Sequence, residues 1–425
     1  MKISRRQFIG GTAALTAGAG LFSVGLLPKS KEAMAANENK GVQTFRNVCP
    51  RNCYDSCAQI SYVEDGVLKK VEGDPKSTYT NGKLCVKGYT YTRRVYSPDR
   101  IKYPMKQVPR GSGNWERITW DEAMNTIAEK ILDLKERYGS TLPICMNKYS
   151  GNFGIVHYGI EGTMSSIGYT TRAIGTPCWP AGIDSQTYDF GTIINNDPED
   201  MANANYIILW GSNCAWTGIH SMQFIEKARE RGAKIVVIDP ILTSTASKAD
   251  LYIQIKTSTD GALGLGMARY ILDNDLVDWD YVNENSIGFE EWAEYVQKNI
   301  TLDWAAEKSG VPKDVIIQLA HEYATAKPAS IWVGYGMQRH TNGGQNVRII
   351  DCLGLMTGNI GKSGGGINYA QLETWGFNYH AMVMSPPEGS VGVKDADGNY
   401  TDRAVNMNNF AADVQACTDP PVKML

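Results

Sequence analysis

Apolar and polar positions change their spacing from one region of the chain to the next, and the spacing predicts the elements. Gln59-Ile60-Ser61-Tyr62-Val63 reads as a strand, Glu64-Asp65-Gly66 has hairpin-turn chemistry, and Val67–Glu72 reads as the return strand, ended by Gly73-Asp74-Pro75. Beyond residue 118 the period becomes helical. Thr119-Trp120-Asp121-Glu122 is a capping box, Met124, Ile127, Ala128, Ile131 and Leu134 follow at helical spacing, and Gly139 is a stop signal. Asn205–Gly211 is a short apolar run bounded by turn residues, which predicts a buried strand. Met222–Arg231 then predicts an amphipathic helix and Lys234–Ile238 the next strand. That is a βαβ unit, which implies a parallel sheet with a right-handed crossover. Helices over Asp260–Asp273, Pro312–Ala326 and Gln345–Met356, with a strand at Ile331-Trp332-Val333, continue the pattern. The expected fold class is α/β: a small β-rich module followed by doubly wound, mostly parallel α/β domains.

The two ends depart from this pattern. Residues 1–35 read as an export signal: Ser4-Arg5-Arg6-Gln7-Phe8-Ile9 is a twin-arginine pattern, and Ala33-Met34-Ala35 supplies small-residue cleavage chemistry. The stretch between them, Gly10–Leu27, is diluted by Gly, Ser and Thr and makes a poor bilayer span; an uncleaved anchor is the alternative. The twin-arginine route suits a protein that receives a cofactor before export. At the other end, Pro420–Leu425 reads as the start of a strand.

Composition narrows the classes. A length of 425 residues suggests about three domains at ~150 residues each. With 43% hydrophobic and 20% charged residues a sizeable core is available and global disorder is excluded; 43 glycines without a period exclude collagen-like and simple repeats. The net charge of −3 becomes −7 once the five basic and one acidic residues of positions 1–35 are removed, which argues against a nucleic-acid partner.

Four of the nine cysteines are grouped: Cys49-x3-Cys53-x3-Cys57, then Cys85 before Val86-Lys87-Gly88. Three thiols in one short loop and a distant fourth suit a cubane iron–sulfur cluster; a four-Cys zinc site and disulfides are the alternatives. In the α/β part, Gly211-Ser212-Asn213 follows one strand and Asp239-Pro240 the next. Such turns can cradle phosphate and hold a ribose or purine edge, although they are also ordinary βα turns. No G-x-G-x-x-G and no Walker lysine is present, so a plain dinucleotide dehydrogenase is weakly supported.

Taken together these segments resemble the dimethyl sulfoxide reductase family of molybdenum and tungsten enzymes with bis-molybdopterin guanine dinucleotide cofactors. The resemblance is carried by CPRNCYDSC (Cys49–Cys57), CVKG (Cys85–Gly88), RRVYSPDRIKYPMK (Arg93–Lys106), ERITWDEA (Glu116–Ala123), WGSN (Trp210–Asn213), VIDP (Val237–Pro240), STD (Ser258–Asp260), QRHTNGG (Gln338–Gly344) and LMTGNIGKSGGG (Leu355–Gly366), in the family's order. It implies that Cys49, Cys53, Cys57 and Cys85 ligate a [4Fe–4S] cluster, that Lys87 lies between cluster and pterin, and that Gly211, Ser212, Asn213, Asp239 and Asp260 contact one guanine dinucleotide, with Gln338 and Arg339 near the cofactor. It places Cys178, in the loop Gly175–Gly182, as the catalytic ligand of the metal. A Cys rather than a Ser there counts against sulfoxide itself and points to thiosulfate, polysulfide, catechol-type or hydratase chemistry. Thr257-Ser258 stands where the family often has Pro-Gly. His157 and Trp179 lie close to Cys178 in sequence and are pocket candidates; Cys145, Cys352 and Cys417 are expected to be structural.

The resemblance also implies a domain plan: signal peptide 1–35, cluster domain 42–98, a discontinuous α/β domain of 99–150 with 330–425, a second at 151–329, and a C-terminal pterin-closing domain of which no stretch is found. The length is therefore expected to be that of a C-terminally truncated chain. The expected function is an exported molybdenum or tungsten oxidoreductase catalytic subunit of the periplasm or the outer face of the cytoplasmic membrane, acting on a small-molecule substrate. An iron–sulfur electron-transfer subunit, a membrane anchor and the twin-arginine translocase are its expected partners. A non-redox hydratase and a non-catalytic iron–sulfur carrier are the rival readings.

Overall fold

The computed structural model describes residues 41–51, 53, 55–148, 158–176, 178–193, 195–369 and 384–425. The export signal at 1–35 and His157 lie outside them. Two compact units are present: Met1–Asn52, Ser56–Thr176 and Phe377–Leu425 form the first, and Cys53–Asp55 with Pro177–Gly376 the second.

The first unit contains a three-stranded antiparallel sheet, Gln43–Val48, Ala58–Glu64 and Val67–Gly73 in that order. The predicted hairpin is there, and Asp65 (φ 48°) and Gly66 (φ 74°) give its two-residue turn the left-handed backbone that matches strand twist. The same unit holds the helix Trp120–Tyr138, whose Thr119 hydroxyl oxygen accepts from the Glu122 amide at 3.1 Å as the capping box requires. A second sheet pairs Arg403–Asn406, Thr171–Ile174 and Cys145–Met146 in parallel. Met424 bridges Ile144 in parallel and Pro421 bridges Thr418 in antiparallel, so the strand expected at Pro420–Leu425 is reduced to two isolated bridges.

The second unit is built on a five-stranded parallel sheet. Its order is Leu251–Ile253, Lys234–Ile238, Tyr206–Trp210, Ala329–Val333, Ile367–Asn368. Tyr206–Trp210 and Ala329–Val333 are buried along their whole length, as continuous apolar runs in a two-sided parallel sheet should be. The order reverses direction between these two strands, so their carboxyl ends open a crevice of the kind that binds ligands in doubly wound folds. Helices Asp260–Asp273, Lys313–Thr325 and Gly343–Met356 pack with the sheet in one continuous core. Among the described residues no helix is long and apolar enough to cross a membrane.

Residues 158–176 lie with the first unit. Ala329–Val333 pairs with Tyr206–Trp210 and with Ile367–Asn368, so the segment that contains both pairings lies with the second. A strand buried on both faces announces itself in sequence as a strand but carries no signal for the sheet it joins.

Candidate cofactor site

In the first unit, Cys49 and Cys57 flank the first two strands at the mouth of their hairpin, the Cys49 amide donating to the Cys57 carbonyl at 2.8 Å. Cys57, Val71, Leu84 and Tyr91 form a small core with Cys49 and Leu68 against it. Cys85 follows the core residue Leu84 and caps the short helix Val86–Tyr89. Two of the thiols, Cys49 and Cys57, thus belong to one apolar cluster, Cys85 follows its Leu84 in sequence, and among the described residues no cysteine is in a disulfide. The Cys49 thiol donates to the Tyr91 hydroxyl at 3.6 Å; burial and this neighbour push that hydroxyl up to about 12. Cys53 lies in the second unit, its thiol donating to the Thr217 carbonyl at 3.4 Å. Lys87 is exposed on the helix Val86–Tyr89.

The second unit brings the predicted turn residues to one edge of its sheet. Gly211 takes a left-handed φ of 62°, and its amide donates to the Ile238 carbonyl at 2.8 Å. The Gly334 amide donates to the Trp210 carbonyl, also at 2.8 Å. A Cβ at Gly334 would fall 1.8 Å from the Gly211 oxygen, so only glycine lets the two strand ends approach this closely. The Asn213 side-chain oxygen accepts from the Thr245 hydroxyl (2.7 Å), which in turn accepts from the Ala215 amide (3.0 Å); the Ser212 hydroxyl lies 3.4 Å from the Cys214 sulfur.

Asp239 and Asp260 are both buried here. Burial pushes the Asp239 carboxyl up against one opposing bond from the Ile241 amide at 3.0 Å. Burial likewise pushes Asp260 up, opposed by Trp210, whose indole Nε1 donates to it at 2.8 Å; Asp239 adds to the rise. Two poorly solvated carboxylates beside a glycine-lined crevice suit a ligand that presents N–H donors, such as a guanine edge.

Gln338 and Arg339 grip the Cys178 loop. Gln338, 5% exposed, donates from Nε2 to the Cys178 carbonyl (2.9 Å) and accepts at Oε1 from the Ala181 amide (2.8 Å). Arg339 donates from Nε to the same carbonyl at 2.9 Å, and its Nη2 stands 3.4 Å from the Cys178 sulfur. The Tyr369 hydroxyl donates to the Trp179 carbonyl at 2.8 Å, and the Trp179, Tyr335 and Tyr369 rings pack at centroid distances of 5.0 and 5.4 Å. Trp179 is thereby part of the core. Cys178 immediately precedes Trp179 and the helix Pro180–Phe190, which packs on Gly343–Met356. Sequence reasoning found Gln338 and Arg339 only through the resemblance and missed Tyr369, whose partner is 190 residues distant.

Comparisons with known proteins point to one family. The family model "Molybdopterin oxidoreductase" matches residues 100–418, and "Molybdopterin oxidoreductase Fe4S4 domain" matches residues 42–97. A probable oxidoreductase of Bacillus subtilis (YyaE) is 33% identical over 383 residues, covering 90% of this chain and 55% of its own length. A probable dimethyl sulfoxide reductase chain of Escherichia coli (YnfF) is 31% identical over 424 residues, covering 92% and 52%. Among solved structures, acetylene hydratase from Pelobacter acetylenicus superposes with a TM-score of 0.60 at 26% identity, over 74% of this chain and 44% of that one. The chain spans about half the length of the curated relatives it matches.

Proposed function

Because the chain belongs to the molybdopterin oxidoreductase family, we propose that it is the catalytic subunit of an exported molybdenum or tungsten oxidoreductase that transfers an oxygen atom or hydroxyl on a small substrate. One observation carries the reading. Cys178 is fixed through its carbonyl by Gln338 and Arg339 in a unit whose sheet edge presents Gly211, Ser212, Asn213, Asp239 and Asp260.

The residues present fit the implied groups. Cys49 and Cys57, which share one apolar cluster, would hold a [4Fe–4S] cluster together with Cys53 and Cys85. Asp239 and Asp260 would accept hydrogen bonds from guanine, and the glycine-lined crevice would admit the dinucleotide. Lys87 would supply a cation between cluster and pterin. When bound, the metal–pterin group would supply a centre able to change oxidation state by two electrons, exchanged one at a time by way of the cluster. The protein's own part is to hold the Cys178 sulfur, a soft donor suited to molybdenum, in a fixed direction beside the Arg339 guanidinium. The aromatic packing of Trp179, Tyr335 and Tyr369 keeps water from the loop's inner side. Export by the twin-arginine route, an iron–sulfur subunit and a membrane anchor belong to this proposal.

A second reading is favoured by the likeness to acetylene hydratase: the same cofactors serving a hydration that consumes no electrons. Metal analysis and EPR of the purified protein test the first reading, and turnover with and without an oxidisable dye separates the two. Activity in protein free of molybdenum and tungsten sinks both; product without dye turnover sinks the first.

A further inference from the structure

The geometry points to a docking surface for an acidic, one-electron carrier protein on the outer side of the cysteine-bearing module, centred on Arg93, Arg94, Arg100 and the aromatic residues beside them. This deepens the proposed function and rests on its [4Fe–4S] cluster.

Charge is divided very unevenly along the chain. Residues 42–117 carry fourteen Lys and Arg against seven Asp and Glu, a net +7; residues 118–425 carry 22 against 36, a net −14. The basic excess therefore belongs to the cluster module and the segment just after it.

Two grooves are cut into that basic segment. One, of about 800 Å³, is lined by Arg93, Arg94 and Arg100 with Thr90, Ser97 and Asp99. The other, of about 580 Å³, is lined by Tyr103, Met105, Trp115 and Trp120. Ile101 lines both, so the basic and aromatic grooves adjoin at that side chain. Ile101 is 84% exposed, Trp120 66% and Trp115 59%. Arg, Trp, Tyr and Met are the side chains enriched at protein interfaces, and tryptophans this exposed are unusual on a surface that meets only water. An anionic bilayer would be met by clustered lysines rather than by apolar recesses, and Asp99 in the arginine groove disfavours a small anion.

The location selects a redox partner. The helix Tyr91–Val95 is buried at Tyr91, whose hydroxyl is 3.6 Å from the Cys49 sulfur, and exposed at Arg93 and Arg94. A carrier seated on the outside is separated from a cluster-ligating thiol by the width of one helix. One electron passes from the reduced carrier to the cluster, or back, and no bond is made or broken.

The test uses the full chain with its cluster reconstituted, an acidic [2Fe–2S] ferredoxin as probe and cytochrome c as basic counter-probe. Stopped-flow absorbance reads cluster reduction, and titration calorimetry reads binding. The ferredoxin rate is expected to fall at least tenfold between ~10 and ~300 mM salt. Replacing Arg93, Arg94 and Arg100 by Glu should lower it about tenfold or more at low salt, and Trp115→Ala should weaken binding about tenfold at both salts. Arg-to-Lys variants should retain the salt dependence, and dithionite should reduce the cluster equally in every variant. Equal ferredoxin rates in the Glu variant and the parent chain overturn the proposal. So does preferential binding of phosphatidylserine vesicles, of cytochrome c, or of a second copy of the chain through these residues. If no cluster forms, the functional reading fails, while calorimetry still decides the surface.

Discussion

The two sheets of this molecule that carry cysteine or cofactor-site chemistry are held together in different ways. Gln43–Val48 at the edge of the small antiparallel sheet is exposed at five of six positions, whereas Tyr206–Trp210 and Ala329–Val333 are buried throughout. The small sheet rests on Cys57, Val71, Leu84 and Tyr91 with Cys49 and Leu68 against them; the parallel sheet belongs to a continuous core that includes Ile208, Val236, Ile331 and Leu353. The larger unit is stabilised by apolar burial. The smaller module buries fewer apolar side chains, and two of those in its cluster are thiols; on the proposed reading, a [4Fe–4S] group held by those thiols would supply part of its stability.

The strongest way to break this contrast is to remove the bound group. Chelation of iron, or Cys57→Ser, should abolish the cluster's absorbance and leave residues 43–98 open to protease, while the segment 206–369 stays resistant. Persistent protection of both regions would show that the module folds by itself. Next in size is a pair of core truncations followed by denaturant unfolding. Ile331→Ala, at a site with 0% exposure, should cost about 2–5 kcal/mol; Val71→Ala in the module should cost less than half as much.

The grip on Cys178 sharpens the contrast on the side of the larger unit. Gln338→Ala strands the Ala181 amide and should cost about 1–3 kcal/mol. Arg339→Ala should leave the fold intact, shift the Mo(V) EPR signal of loaded protein and change the alkylation rate of Cys178 in unloaded chain; Arg339→Lys should restore part of both. The smallest effect concerns acid stability. Burial pushes Asp200 up, but bonds from the Ser363 hydroxyl (2.5 Å), the Asn203 (2.8 Å) and Asn196 (2.7 Å) amides and the Gly364 N–H (2.6 Å) outweigh it and hold the carboxyl below its ordinary value. A depressed acid contributes stability at neutral pH and loses it as pH falls below about 4. Melting temperature against pH should therefore drop less steeply below pH 4 in Asp200→Asn than in the parent chain.

Periodic stretches were legible from the residues. The helix after Thr119, the strand within Asn205–Gly211 and the hairpin around Asp65-Gly66 stand where their patterns place them. The strand Gln43–Val48 was not, because QTFRNV lies mostly exposed and has no clean alternation. The sheet joined by Ala329–Val333 was not legible either, since pairing partners are chosen by tertiary fit rather than by the strand's own residues. At the site, turn chemistry marked Gly211 and Asp239, and the resemblance marked Gln338 and Arg339. Their hold on Cys178, 160 and 161 residues away, is long-range and leaves no local trace.

The Cys178 loop is tied down at Cys178 O by two side chains, at Ala181 N by a third contact and at Trp179 O by Tyr369. Ordering a loop residue on binding costs about 1–2 kcal/mol of backbone entropy. In this chain that ordering is part of folding, so the segment is ordered before anything occupies it; on the proposed reading, a metal held by the Cys178 sulfur would keep more of its attraction as affinity.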